Sequence, residues 1–189
     1  MKIKPIETIY KGYRFRSRLE ARWAVFLDAI GADWEYEPEG FELENRIYYL
    51  PDFRIRANGR GRTPEEFYLE VKGVPTREDG IKCELFSACY PVLIVGDIPR
   101  VHGVWDDCLL SYFNIDDDGY KVQCIRDSFV YIDGDSYSCL LCASKGGDVG
   151  LYGPDWYFDV DPPADEVKTI NALNIARQAR FEHGETPTI

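Results

Sequence analysis

No run of about eighteen apolar residues occurs anywhere in the chain, so nothing in it is suited to cross a bilayer as a helix. The opening residues, Met1-Lys2-Ile3-Lys4-Pro5, lack the apolar stretch of a secretion signal. A cytoplasmic protein with no membrane partner is the expectation. Histidine is scarce, with two in 189 residues. His102 has no acid or thiol partner visible in the sequence, and His183 suits the C-terminal dipole of a helix better than a catalytic base. No glycine-rich phosphate loop is present, which leaves a nucleotide-processing enzyme without support.

Metal-ligand spacing of the zinc-finger kind is absent too. Of six cysteines only Cys139 and Cys142 form a Cys-x-x-Cys, with Cys124 and Cys108 as the remaining thiols that could complete a set. Reduced, buried thiols in strands fit that pattern better than a structural zinc. Asn114-Ile115-Asp116-Asp117-Asp118-Gly119 opens like a calcium loop, but Ile125 stands where the closing glutamate belongs.

Positive charge is in short supply: 22 Lys and Arg face 33 Asp and Glu, for a net charge of −11. Such a balance repels a phosphate backbone at long range. The deficit is uneven, however. Residues 1–25 carry seven basic residues against Glu7 and Glu20, a local net of +5, so the remainder carries −16. Lys11, Arg14, Arg16 and Arg18 are interleaved with Tyr10, Tyr13 and Phe15, a pattern that suits nucleic acid as well as a solvated face. Arg54, Arg56, Arg60 and Arg62 form a second basic stretch.

What the chain does contain is a set of spaced carboxylates. Phe67-Tyr68-Leu69-Glu70-Val71-Lys72 reads as a short strand ended by Gly73. Side chains alternate across a strand, so Glu70 and Lys72 share one side while Leu69 and Val71 share the other. Eighteen residues before Glu70 lies Asp52, in Tyr48-Tyr49-Leu50-Pro51-Asp52-Phe53-Arg54-Ile55, a second strand in which Pro51 marks an edge or an irregularity. Two carboxylates and a lysine at adjacent strand ends are what a metal-dependent phosphodiesterase needs, and they are also common as exposed charge pairs and turns. Upstream, residues 17–30 read as an amphipathic helix with Leu19, Trp23, Phe26 and Ile30 on one stripe and Gly31 as its stop. Ser17 and Glu20 spell a capping box at its start, and Glu20 is equally placed to serve as a further carboxylate ligand.

Taken together, Ser17-x-x-Glu20, Pro51-Asp52 and Glu70-Val71-Lys72 resemble the PD-(D/E)XK nucleases, the restriction-endonuclease-like superfamily. The helix carboxylate is similar to that of the branch with junction-resolving and transposon-end endonucleases. The wording of residues 15–23, 35–38, 49–53, 96–99 and 179–185 resembles small phage and prophage proteins. The nuclease likeness covers roughly residues 10 to 99. It implies an α/β fold with a mixed sheet core in the order αβββαβ. It also implies Mg²⁺ or Mn²⁺ held by Glu20, Asp52, Glu70 and the Val71 carbonyl, with Glu20, Asp52, Glu70 and Lys72 as catalytic residues. DNA is the implied partner, bound through Lys11, Tyr13, Arg14, Arg16 and Arg18, and many such nucleases act as homodimers.

Local patterns fit that order. Trp34-Glu35-Tyr36-Glu37 is a strand candidate, Asn58–Arg62 a loop, Glu78–Ala88 a helix, and Pro91–Gly96 a buried strand. The expected organisation is a nuclease-like core over 1–100, a β-rich subdomain or sheet extension over 101–164, and a C-terminal helix and tail over 165–189. Asp118-Gly119 and Asp133-Gly134 read as hairpin turns. The last helix is expected over Asp165–Glu182, with Val167, Ile170, Leu173 and Ala176 on its apolar stripe. A rival from another class is a non-catalytic acidic protein on the same scaffold that binds a host defence protein by imitating DNA.

Overall fold

A computed structural model describes residues 6–57, 65–74, 76–98, 112–116, 119–123, 128–132, 135–143, 149–152, 165–181 and 187. A hairpin comes first, β1 (Thr8–Tyr10) and β2 (Tyr13–Phe15), then α1 (Arg18–Ile30) and β3 (Asp33–Tyr36). A small two-stranded pair follows, β4 (Phe41–Glu42) and β5 (Tyr48–Tyr49), and then β6 (Phe53–Arg56), β7 (Glu66–Val71), α2 (Arg77–Ser87) and β8 (Val92–Val95). The later elements are β9 (Tyr112–Asp116), β10 (Gly119–Gln123), β11 (Ser128–Ile132), β12 (Asp135–Ala143), β13 (Val149–Tyr152) and α3 (Glu166–Gln178). The protein is a mixed α/β fold.

The main sheet has seven strands in the order β13-β12-β11-β8-β7-β6-β3. β3, β6 and β7 form an antiparallel meander, and β8 lies parallel to β7 after the crossing through α2. β11 then pairs antiparallel with β8, so β11, β12 and β13 extend the same sheet, while β9 and β10 form a separate two-stranded pair. β9 pairs with β10, and β11 with β12, across two-residue connections at 117–118 and 133–134. Those connections, together with Asn58–Arg62, His102, Cys108, Cys124 and His183, lie outside the described residues.

Alternation along β7 builds two cores. Phe67, Leu69 and Val71 join the larger one with α1 and α3, while Tyr68 joins Tyr49, Cys83, Phe86, Val92 and Ile94 on the α2 side. The α1 stripe behaves as its periodicity predicts: Trp23, Phe26 and Ile30 are fully buried, and Leu19 packs at the margin. Ser17 caps the helix by accepting the Glu20 amide at 3.1 Å, and Gly31 ends it at φ 85°, a left-handed conformation that glycine adopts without strain.

Four expectations change. The stretch around Tyr10, Tyr13 and Phe15 is a β-hairpin whose turn residues Lys11 and Gly12 both have positive φ, as a type I′ turn requires. Tyr10 and Phe15 are therefore core residues, and only Tyr13 remains at the surface, against Trp34 at 5.3 Å. The strand expected over 48–55 breaks at residues 50–52, where Pro51 has no amide to offer a ladder. In α3 the buried face is Thr169, Ala172, Leu173 and Ala176, with Val167 exposed and the helix ending at Gln178. Thr169 can be buried because its hydroxyl donates to the Asp165 carbonyl at 2.8 Å and accepts the Ala143 amide at 3.1 Å. α2 begins one residue before its expected start, at a capping box of Thr76 with Asp79.

Candidate active site

The break between β5 and β6 places Asp52 at the mouth of β6, and the end of β7 places Glu70 and Lys72 beside it. Both acids are buried, Asp52 at 1 % exposure and Glu70 at 4 %. A buried carboxylate is costly unless hydrogen-bonded and paired, and both are. Asp52 Oδ2 accepts the Val71 main-chain amide at 2.7 Å, and Oδ1 accepts Arg16 Nη2 at 2.6 Å. Lys72 Nζ forms an ion pair with Glu70 Oε1 and stands 3.9 Å from Asp52 Oδ2. The Tyr49 hydroxyl donates to Glu70 Oε2 at 2.9 Å and lies 3.7 Å from the Cys83 sulfur.

Glu20 occupies a different setting. It is buried on α1, which covers the Leu69 and Val71 face of β7, whereas Glu70 faces the other way. Its Oε2 accepts the Tyr36 hydroxyl at 2.6 Å and the Arg16 amide at 3.0 Å, and its Oε1 accepts the Ser17 hydroxyl at 2.8 Å. The structure thus brings Asp52, Glu70, Val71 and Lys72 together and gives Glu20 three donors of its own. Among the described residues, no group of three or more His, Cys, Asp or Glu side chains is gathered as a metal site. Two buried carboxylates beside the main chain of Val71 are nonetheless a hard-oxygen donor set of the kind that suits Mg²⁺ or Mn²⁺.

The electrostatics follow from that geometry. Burial first, then the neighbouring Glu70 charge, push the Asp52 carboxyl up to about 8, against the opposing pull of Lys72 and the Val71 amide. The Lys72 ammonium is raised, because attraction to Glu70 and Asp52 outweighs its own desolvation. Arg16 is likewise raised, Asp52 and Glu37 outweighing the burial that opposes them. The Tyr36 and Tyr49 hydroxyls are raised chiefly by burial, with the carboxylates they serve adding to the shift, so both act as donors near neutral pH.

Two results are expected here. An Asp52 carboxyl raised in the folded state stabilises most below its unfolded value near 4 and progressively less as pH rises through about 8. Without added cation, then, the wild type should lose stability relative to Asp52→Asn between those limits, measured by urea denaturation across pH. Parallel pH profiles would remove the shift. Tyr36→Phe deletes one of the three donors to Glu20 and is expected to cost about 1.5–3 kcal/mol, as hydrogen bonds to charged groups do. Denaturation midpoints check it, and a change below about 0.5 kcal/mol would show that the Arg16 amide and Ser17 suffice.

The basic residues are widely paired. Lys11 binds Asp28 at 2.8 Å, Arg14 meets Glu7 at 3.3 Å, and Arg16 Nε meets Glu37 at 2.8 Å in addition to Asp52. Arg54 and Arg56 share Glu35, and Arg56 also reaches Asp33. Arg18 lies in the first turn of α1. Cys139 and Cys142 both lie in β12, Cys142 buried. Three partners of the carboxylates had no signal in the sequence: Tyr36, Tyr49 and the guanidinium of Arg16 on Asp52. Aromatic residues at strand positions look alike whether they fill a core or hold an acid. Compared with protein-family models, with curated proteins and with solved structures, the chain matches none. No helix among the described residues is long and apolar enough to cross a membrane.

Proposed function

We propose that this chain is a metal-dependent nuclease of the PD-(D/E)XK type, hydrolysing phosphodiester bonds of DNA in the cytoplasm, in keeping with its likeness to phage and prophage proteins. The observation that carries this is the meeting of Asp52, Glu70 and Lys72 at two adjacent strand ends, with Lys72 Nζ between the two acids. The order α1, β3, β6, β7, α2, β8, with β8 parallel to β7, supports a restriction-endonuclease-like core, since it matches what the motifs imply.

Asp52 and Glu70 would hold Mg²⁺ or Mn²⁺ with the Val71 carbonyl, and Glu20 would act through Arg16 and Tyr36 rather than directly. Bound there, the ion supplies an acidified water and charge neutralisation at the attacked phosphate. Lys72 is a fixed point charge beside both carboxylates, suited to orient the attacking water and to offset charge growing on phosphorus. Tyr49 keeps Glu70 aimed, and the Val71 amide does the same for Asp52. Nicking of supercoiled plasmid and of a branched DNA with Mg²⁺ or Mn²⁺, wild type beside Lys72→Ala, tests the proposal. Cleavage present in the first and lost in the second is expected.

A second function has its own support. Lys11, Arg14, Arg54 and Arg56 each pair with an acidic residue, which leaves the −11 chain little unpaired positive charge at those positions. A non-catalytic acidic protein that binds a host defence protein would retain its function in Lys72→Ala and lose it on charge reversal of the acidic surface.

A further inference from the structure

We propose that Arg16 is a displaceable counter-cation at Asp52, competing with the divalent ion for that carboxylate; the proposal rests on the nuclease function of the site. The two oxygens of Asp52 are held in different ways. Oδ2 takes the Val71 amide, a main-chain donor at the register position where β7 meets Val95 of β8. That donor cannot leave without opening the end of β7. Oδ1 takes Arg16 Nη2, on a side chain that is 54 % exposed and able to turn outward.

The main chain of Arg16 is anchored while its side chain is not. Its amide is bound to Glu20 Oε2 at 3.0 Å and lies 3.2 Å from the Tyr36 oxygen, which fixes where the side chain starts. The guanidinium is shared between Asp52 and Glu37, a half-buried acid that can keep one end of it when the other is released. A guanidinium and a metal ion cannot both sit on Oδ1, because two cations at contact distance repel. A divalent ion therefore reaches Oδ1 by pushing Arg16 aside, and its double charge favours that exchange. Lys72 is placed differently: its side chain is three-quarters buried and pairs with Glu70 Oε1, standing 3.9 Å from Asp52 Oδ2, so it leaves Oδ1 to Arg16 and the ion. Once displaced, Arg16 is a tethered fork of donors next to the site, with the geometry to take a phosphate oxygen pair.

The test is Mn²⁺ affinity, measured without substrate by isothermal titration calorimetry and by thermal shift, for wild type, Arg16→Met and Arg14→Met. Arg14, in β2 two residues earlier, carries the same charge but pairs with Glu7 at the surface, so it controls for net charge. Arg16→Met should tighten Mn²⁺ binding about tenfold, equivalent to about 1.4 kcal/mol, and Arg14→Met should shift it by less than about twofold. Arg16→Gln, which keeps a neutral donor, is expected to tighten binding in the same direction and serves if the methionine variant does not fold. Equal or weaker binding in the Arg16 variants, or equal tightening in Arg14→Met, overturns the proposal. Mn²⁺ binding by wild type without tightening in the variants overturns the role of Arg16 alone. No Mn²⁺ binding by any of the proteins overturns the nuclease function with it.

Discussion

Lys72→Ala is expected to reduce metal-dependent DNA cleavage by at least about 10²–10³-fold, the scale lost when one preorganised donor to a developing charge is removed. The side chain bridges Glu70 and Asp52, and among the described residues no other group stands in its place when it is cut back to a methyl. Arg16 is the nearest alternative cation, but it reaches Asp52 Oδ1 from the opposite oxygen and is drawn towards Glu37. The variant leaves two buried acids without their shared ammonium, and a divalent cation relieves that. Mn²⁺ binding should thus persist in Lys72→Ala while the cleavage rate falls. Calorimetry beside single-turnover cleavage separates the two, and undiminished cleavage by the variant would sink the mechanism. Loss of metal binding together with loss of cleavage would instead assign Lys72 to holding the site open.

Trp23→Ala carries the largest expected cost to stability, about 3–5 kcal/mol, the range for truncating a fully buried large aromatic side chain. Trp23 does more than fill space. Its indole N–H donates to the Gly96 carbonyl at 2.8 Å, tying α1 to the exit of β8, and its ring meets Phe26 edge-on at 5.3 Å. At about 2–4 °C per kcal/mol for a chain of this size, the melting temperature should fall by roughly 10 °C. Trp23→Phe should recover most of the packing and leave the Gly96 carbonyl short of its donor, for an intermediate loss of about 1–3 kcal/mol. A melting temperature within about 2 °C of wild type for Trp23→Ala would show that α1 is held to the sheet by other contacts. Because α1 carries Glu20 and follows directly on Arg16, loosening it should also disturb the acids at the sheet.

Much of the framework is legible in local patterns. The three- and four-residue spacing of Trp23, Phe26 and Ile30, with Ser17 before and Gly31 after, specifies α1, because helix periodicity and capping act within a few residues. The alternation of Glu70 and Lys72 with Leu69 and Val71 places the first pair away from the larger core, since strand geometry leaves no other choice. Pro51 announces the break between β5 and β6 at which Asp52 lies. Where the sequence falls short, long-range geometry decides. Whether Tyr10 and Phe15 lie outside or in the core depends on a hairpin folding over α1, and the same residues would suit either. Glu20 lies only four residues from Arg16, but it finds Tyr36 through the packing of α1 against β3, and Arg16 finds Asp52 across thirty-six residues. Val167 fits the helical stripe of α3 by spacing, yet Thr169 is the buried residue, because the carbonyl of Asp165 accepts its hydroxyl and the amide of Ala143 donates to it. Periodicity and caps are properties of a few adjacent residues. The partner of a buried charge is set by strand register and helix packing, which only the folded chain brings into being.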